Sequence, residues 1–294
     1  MIRPLFRCYF CVDRVYDFKR LTCLGVSNAE RPFVVYRRSE KLRGAPEMAL
    51  NRTLRIYMLG RFEVRIGSRT VIDHSWPRRK AKAILKLLAM QEDKSLHRDQ
   101  ILELLWPGSD AAAGNNNLRQ NLHHLRGALH AAGAGPPVLS NEMIALSPDA
   151  WIDIDAFRGA AQAAFRSPDD PILYAAALAI YRGDLLPMDL YEDWSLSRRK
   201  ELQTLHRRLL SKVSQLEEAG GNIAGAAQLL RQAVEGDPLD EEVQRALMRF
   251  YARTSNRTEA IREYQNYIKL LQRELGVIPS HETEALYREI VNEG

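Results

Sequence analysis

Hydrophobic residues recur at helical spacing in residues 115–129, NNNLRQNLHHLRGAL, where four leucines form one narrow apolar stripe. The opposite face carries only amide, imidazole and guanidinium groups, on Asn116, Arg119, Gln120, His123 and His124, and the segment contains no acidic residue. Such a helix suits a DNA groove, because Asn and Gln can bond adenine, Arg can bond guanine or phosphate, and His can donate or accept. The segment alone is equally compatible with a solvated amphipathic helix.

Alternating patterns on both sides of this segment predict short strands. Residues 54–60 and 61–67 are candidate strands that end on glycine, and residues 69–72 are a third candidate. In the second segment Phe62, Val64 and Ile66 alternate with polar residues, as a half-buried strand requires. Downstream, PVLS and MIAL flank Asn141 and Glu142, which predicts a two-residue hairpin, although the turn is not the favoured Asn-Gly type. Residues 151–154 are a candidate edge strand.

Two further helices precede the leucine-striped segment. The first begins near Pro77, which a first helical turn tolerates, and the second spans about residues 96–105, ending at Trp106 and Pro107. Asn115 or a neighbour is the expected N-cap of the third helix. The order of strands, three helices and a hairpin predicts a winged helix-turn-helix, with the third helix in the major groove and the hairpin along the backbone.

Basic residues cluster where the first of these helices begins. Arg78, Arg79, Lys80 and Lys82 lie within five positions, and Arg126 adds a cation to the third helix. Of these, Arg78, Arg79, Lys80 and Arg126 are candidate phosphate contacts, which would position the domain on DNA without reading its sequence. A solvated helix face is the alternative interpretation of the cluster.

The C-terminal half is helical throughout, from about residue 155, and repeats itself. Matching positions recur at an offset of 34 residues: Asn222 with Asn256, Ala226 with Ala260, Leu230 with Tyr264, and Val234 with Ile268. This is the tetratricopeptide period, in which each repeat is a pair of antiparallel helices. Stacked pairs expose a concave surface that usually binds a protein or peptide, and a structural or dimerising platform is the alternative.

Charge is distributed unevenly along the chain. The formal net charge is +5. Residues 1–50 carry 10 Lys and Arg against 5 Asp and Glu, residues 51–150 carry 14 against 9, and residues 151–294 carry 18 against 23. A basic middle and an acidic C-terminal half fit a nucleic-acid binder joined to another module. No apolar run approaches a membrane span, and the charged N-terminus is unlike a secretory signal, so we expect a cytoplasmic protein.

Enzymatic and metal-binding functions have little support. The chain lacks the GxxxxGK[ST], GxGxxG, HExxH and GxSxG motifs, and its histidines are scattered or, at His123 and His124, point about 100° apart on a helix. Cys8 and Cys11 have CxxC spacing, but a structural zinc site needs four ligands and no histidine precedes His74. We therefore expect no enzyme, no cofactor and no metal. Residues 1–50 show no clear period and are interpreted as a disordered or unassigned extension.

Together these segments resemble the SARP-type bacterial regulators, the Streptomyces antibiotic regulatory protein family. The resemblance covers about residues 54–290, and the motifs that carry it are LRIYMLGRFEVRIG, RDQILELLWPG, NNLRQNLHHLRGAL, WIDIDAF and AIREYQNYIKLLQRELGVIPSHETEAL. Each motif is moderately specific, whereas their order and spacing are highly specific. One departure is Gly127, where the family often has a second arginine after Arg126.

The resemblance implies an OmpR-like winged-helix DNA-binding domain at residues 51–150 and a bacterial transcriptional activator domain with tetratricopeptide-like repeats at residues 151–294. It implies a transcription activator that binds double-stranded DNA at promoter repeats, often as a homodimer, and recruits RNA polymerase. The alternative is a repeat scaffold that binds protein partners and has weak or no specific DNA binding, for which Gly127 and the modest charge of the middle segment leave room.

Overall fold

The computed structural model of the chain describes residues 53–292, except residues 68, 72–75, 77, 134, 136 and 141. The interpreted N-terminal extension, with Cys8 and Cys11, and the proline at position 77 lie outside the described residues. The described chain is mainly helical with a small β component, as predicted. A winged helix-turn-helix comes first and a tetratricopeptide-like array of helices follows it.

The elements of the winged-helix part follow the predicted order. They are β1 (Leu54–Tyr57), β2 (Glu63–Ile66), β3 (Arg69–Val71), α1 (Arg79–Ala89), β4 (Ser95–His97), α2 (Arg98–Leu105), α3 (Ala111–Ala132), β5 (Val138–Ser140), β6 (Met143–Ala145) and β7 (Trp151–Ile152). One sheet has the order β3-β2-β1-β7, with β1 antiparallel to β2 and parallel to β7. A second has the order β4-β6-β5, and it contains the predicted hairpin.

Two predicted helix starts are wrong, and local capping explains both. Leu96 belongs to β4, because the side chains of His97 and Gln100 form a capping box. His97 is the N-cap, and α2 begins at the next residue, Arg98. The N-cap of α3 is Asp110 rather than Asn115: its Oδ1 accepts from the backbone N–H groups of Ala112 and Ala113 at 2.9 Å. The helix therefore begins more than a turn before the leucine stripe.

The remaining helices form the repeat array. They are α4 (Asp153–Arg166), α5 (Pro171–Ile180), α6 (Leu196–Ala219), α7 (Ile223–Gly236), α8 (Glu241–Arg253), α9 (Arg257–Glu274) and α10 (His281–Asn292), with a 3₁₀ turn at Asp193–Ser195. The helical stretch thus starts at Asp153, slightly before the predicted residue 155. Ala226 and Ala260, equivalent in the 34-residue repeat, are both fully buried, so the period marks equivalent packing positions.

One hydrophobic core joins the winged helix to the first helices of the repeat array. A single cluster of buried residues runs from Leu54 in β1 through the leucines of α3 to Phe157 in α4 and Leu209 in α6. Smaller clusters further along the chain pack α7 against α8 and α8 against α9 and α10. No helix in the described part is long and apolar enough to cross a membrane.

Candidate nucleic-acid interface

Helix α3 has the two faces that its sequence predicted. Leu118, Leu122, Leu125 and Leu129 are at most 4% exposed and lie in the core. Among the candidate base-facing residues Asn116, Arg119, Gln120 and His123 are exposed, whereas His124 is half-buried. Because residues 111–133 include no acid, this exposed face presents no negative side chain to an approaching anion.

Both ends of α3 are capped, the N-terminus by the Asp110 side chain and the C-terminus by Gly133. Asp110 satisfies two N–H groups at the N-terminus, and Gly133 ends the helix in the left-handed region with φ of 95°. Asn121 is 4% exposed and lies on the same side of α3 as the leucines. Its Nδ2 donates to the Asn117 carbonyl at 2.8 Å, so this buried amide nitrogen has a hydrogen-bond partner. The helix is therefore a rigid support for the side chains on its outer face.

Arg98 is a site residue that the sequence patterns did not reveal. Its Nη2 donates to Oδ1 of Asn115 on α3, and its Nη1 donates to Oε2 of Glu142 at 2.7 Å in the β5–β6 turn. Its backbone N–H also bonds the Glu142 carbonyl at 2.8 Å. One guanidinium thus ties the hairpin turn to the first turns of α3, which fixes the distance between the two elements expected to contact DNA.

The basic cluster and the outer face of α3 form one continuous surface. Arg78 precedes α1, yet its Nη1 donates to Oε1 of Gln120 at 2.9 Å. A phosphate candidate and a base candidate, separated by 42 positions in the chain, are therefore in direct contact. Lys80, in the first turn of α1, and Arg126, further along α3, are both half-buried.

Arg79 is engaged differently, because its partner comes from the repeat array. Its Nη2 bonds Oε1 of Glu192 at 2.9 Å, in the loop of residues 181–195 that connects α5 with α6, named here the α5–α6 loop. The other carboxylate oxygen of Glu192 accepts from the indole N–H of Trp194 at 2.9 Å. The carboxylate is thus held in place beside a candidate phosphate contact.

Backbone hydrogen bonds hold the α5–α6 loop against the residues that follow β1. Gly60 N–H donates to the Asp184 carbonyl and Leu186 N–H donates to the Met58 carbonyl, both at 2.9 Å. Lys86 of α1, almost fully buried, pairs with Asp189 of the loop at 2.5 Å. These contacts position Glu192 next to α1.

Asp153 secures the same junction from α4. Its buried Oδ2 accepts from the N–H groups of Met58 and Leu59, each at 2.8 Å. Burial raises the pKa of this carboxyl to about 6, against the lowering effect of the two backbone donors. The junction between the two parts is therefore built from specific polar contacts as well as from apolar packing.

The described residues contain no group of three or more His, Cys, Asp or Glu side chains placed to hold a metal ion. The rings of His123 and His124 meet edge to face, with centroids 5.8 Å apart. CxxC spacing, the other metal candidate of the sequence, falls outside the described residues.

Comparisons with known proteins find one matching domain family and similar solved structures. Residues 152–291 match the family described as the bacterial transcriptional activator domain. The fold matches the solved structure of Mycobacterium tuberculosis EmbR in complex with a low-affinity phosphopeptide, with a TM-score of 0.71 and 20% sequence identity. Residues 152–291 are therefore similar to a bacterial transcriptional activator domain, which agrees with the SARP-type resemblance of the sequence motifs. The structural match covers 82% of this chain and 65% of the EmbR chain, so this chain spans less than two thirds of the EmbR chain. No curated protein matches this chain.

These comparisons agree with the resemblance of the sequence motifs and confirm the predicted fold class. The family that residues 152–291 match is described as a transcriptional activator domain. At 20% identity the similarity to EmbR is one of fold, and the phosphopeptide belongs to that structure.

Proposed function

We propose that this protein is a transcriptional regulator that binds double-stranded DNA sequence-specifically through α3, in the predicted winged-helix domain of residues 51–150. The observation that carries the proposal is the Arg78–Gln120 contact, which makes the acid-free face of α3 and the basic start of α1 one surface. A helix with polar residues outward, flanked by cations, is the arrangement that major-groove recognition needs.

The proposed roles follow from position on this surface. Base-facing residues are those of the outer face of α3: Asn116, Arg119, Gln120, His123 and His124. Phosphate contacts are made by the flanking cations Arg78, Arg79, Lys80 and Arg126. Arg98, which joins Asn115 to the hairpin turn, sets the register between α3 and the hairpin.

The second part of the proposal concerns activation. Residues 151–294, as the predicted activator domain, contact the transcription machinery and recruit RNA polymerase at promoter repeats, where the regulator binds as a homodimer. The match of residues 152–291 to the bacterial transcriptional activator domain supports this role. The exposed side chains of Met188 and Tyr191, 92% and 98% accessible on the α5–α6 loop, supply apolar surface beside the DNA-facing side.

The deciding experiment is selection of genomic DNA fragments by the purified full-length chain, at physiological salt with competitor DNA. We expect one shared motif, present as spaced repeats, and a steep dependence of affinity on salt. Random fragments, bound with a shallow salt dependence by a fully helical protein, would contradict sequence-specific binding.

The same exposed loop favours a second candidate function, a repeat scaffold that binds protein partners without specific DNA binding. Arg79 is already paired with Glu192, which reduces the charge available to phosphates. If this second function is correct, the selection returns no motif and affinity purification recovers protein partners. Substitution of Met188 and Tyr191 by serine then abolishes the binding of these partners.

A further inference from the structure

We infer that Arg78 determines which base edge Gln120 recognises: it turns the Gln120 amide so that the side chain presents hydrogen-bond donors to DNA and selects guanine or thymine over adenine. The inference rests on the proposed function, because it requires α3 to lie in the major groove. It gives Arg78 a positioning role in sequence recognition, beyond the phosphate contact assigned from its charge.

The orientation of the amide follows from the chemistry of its partner. A guanidinium carries five N–H donors and no acceptor, so only the oxygen end of a glutamine amide can face it. Nη1 of Arg78 lies 2.9 Å from Oε1 of Gln120 and donates to it. The amide nitrogen, with its two N–H donors, is then the end that remains for DNA.

A glutamine oriented in this way discriminates between bases. Bidentate recognition of adenine needs the amide oxygen to accept from N6 while the nitrogen donates to N7. With the oxygen turned to Arg78, that arrangement is disfavoured. Guanine offers two acceptors in the major groove, N7 and O6, and thymine offers O4, so a donor-only side chain is matched to these bases.

The backbone around Arg78 places this residue beside α3. Arg78 is extended, with φ of −143° and ψ of 133°, immediately before the first turn of α1, and α1 packs against α3 in the core. The next residue, Arg79, is drawn to Glu192. Arg78 and Arg79 thus diverge, one to the face of α3 and the other to the α5–α6 loop.

The test is selection from random duplex DNA with four forms of the full-length chain: wild type, Gln120→Ala, Arg78→Ala and Lys80→Ala. Gln120→Ala identifies the base position that Gln120 contacts, because preference there disappears. Lys80→Ala is the matched control, since it removes one cation from the same cluster. Helicity measured by circular dichroism verifies that each variant is folded.

We expect wild type to prefer guanine or thymine at the Gln120 position. Arg78→Ala lowers that preference relative to adenine by roughly fivefold or more, whereas Lys80→Ala weakens all sites alike. Adenine at that position in wild type, or an unchanged preference in Arg78→Ala, overturns the inference and leaves the proposed function standing. Absence of any wild-type motif overturns both.

Discussion

Gln120 is the α3 side chain on which the proposed recognition of DNA depends most. It is exposed in the middle of the helix and already bonded to Arg78. We expect Gln120→Ala to relax base preference at one position of the DNA site by about 1–3 kcal/mol. Base preference at the other positions of the site should change little. Competition binding with a set of single-base variants of the site measures this. A binding profile identical to that of wild type would remove Gln120 from the recognition set.

His206 is one residue whose environment makes stability depend on pH. Its ring stacks on Tyr181 with centroids 4.0 Å apart, and burial lowers its pKa to about 4, with Arg207 adding to the effect and Asp184 opposing it. The unfolded chain therefore binds a proton below about pH 6.5 that the folded chain does not. Stability is full above that pH and decreases as pH falls toward 4.

For this reason we expect the free energy of unfolding to drop between pH 6.5 and 4 by about 1–3 kcal/mol from this residue, after screening by solvent. His206→Phe keeps the aromatic stack and removes the titration, so the free energy of unfolding of the variant rises relative to that of wild type as the pH falls over the same range. Urea unfolding at several pH values provides the measurement. Equal slopes for wild type and variant would mean that His206 contributes nothing.

At the residue scale the sequence showed which side chains point outward from α3 but not what they bond. Periodicity places Gln120 and the leucines on opposite faces, because it depends only on the helix itself. The Asn115–Arg98 and Gln120–Arg78 contacts join separate helices, so no local pattern encodes them. The sequence predicts a cap at Asn115 because amides favour that position, whereas in the structure Asp110 is the cap and binds two N–H groups.

At the scale of elements, the N-terminus of α1 is where the repeat array meets the proposed DNA surface. Glu192 occupies Arg79 with a carboxylate that Trp194 holds in place. In the proposed DNA complex, phosphate and this carboxylate compete for the same guanidinium. We expect Glu192→Gln to raise affinity for all DNA sequences about two- to fivefold, the usual range of an exposed ion pair, and to steepen the salt dependence.

Asp193→Asn is the matched control for that substitution, because it removes the same charge from the neighbouring, exposed residue. Fluorescence anisotropy with a labelled duplex over a series of salt concentrations separates the two variants. Equal gains in both would indicate a change in net charge only. In an Arg79→Ala background we expect the gain from Glu192→Gln to vanish.

Long periodic elements were predictable, and short or capped ones were not. The leucine stripe of α3 and the 34-residue repeat of α7 and α9 depend on spacing within one segment, and both are confirmed. Leu96 fits a helix and a strand equally by hydrophobicity, and the capping box at His97 decides for β4. Boundaries thus depend on hydrogen bonds that apolar periodicity does not report.

At the scale of the whole molecule, the winged helix and the first helices of the repeat array share one core and a polar junction. The sequence predicted both parts, yet not the contacts between them, since these join residues about a hundred positions apart. Leu59 and Leu185 form an isolated antiparallel bridge, and Asp153 bonds the end of β1. Through this junction the array places Glu192 beside α1.

Gly60 is the position where this junction tolerates no side chain. Its φ is +83°, and an added Cβ would lie 2.6 Å from the Arg182 carbonyl oxygen, a backbone atom that cannot move aside freely. Gly221 between α6 and α7 has nearly the same φ, +82°, but open space around a Cβ. We expect Gly221→Ala to cost about 1–2 kcal/mol from the left-handed backbone alone, and Gly60→Ala to cost more because the clash adds to it. Thermal unfolding of both variants checks this. Equal losses of stability would show that the close approach of Gly60 to the α5–α6 loop does not hold the two parts together.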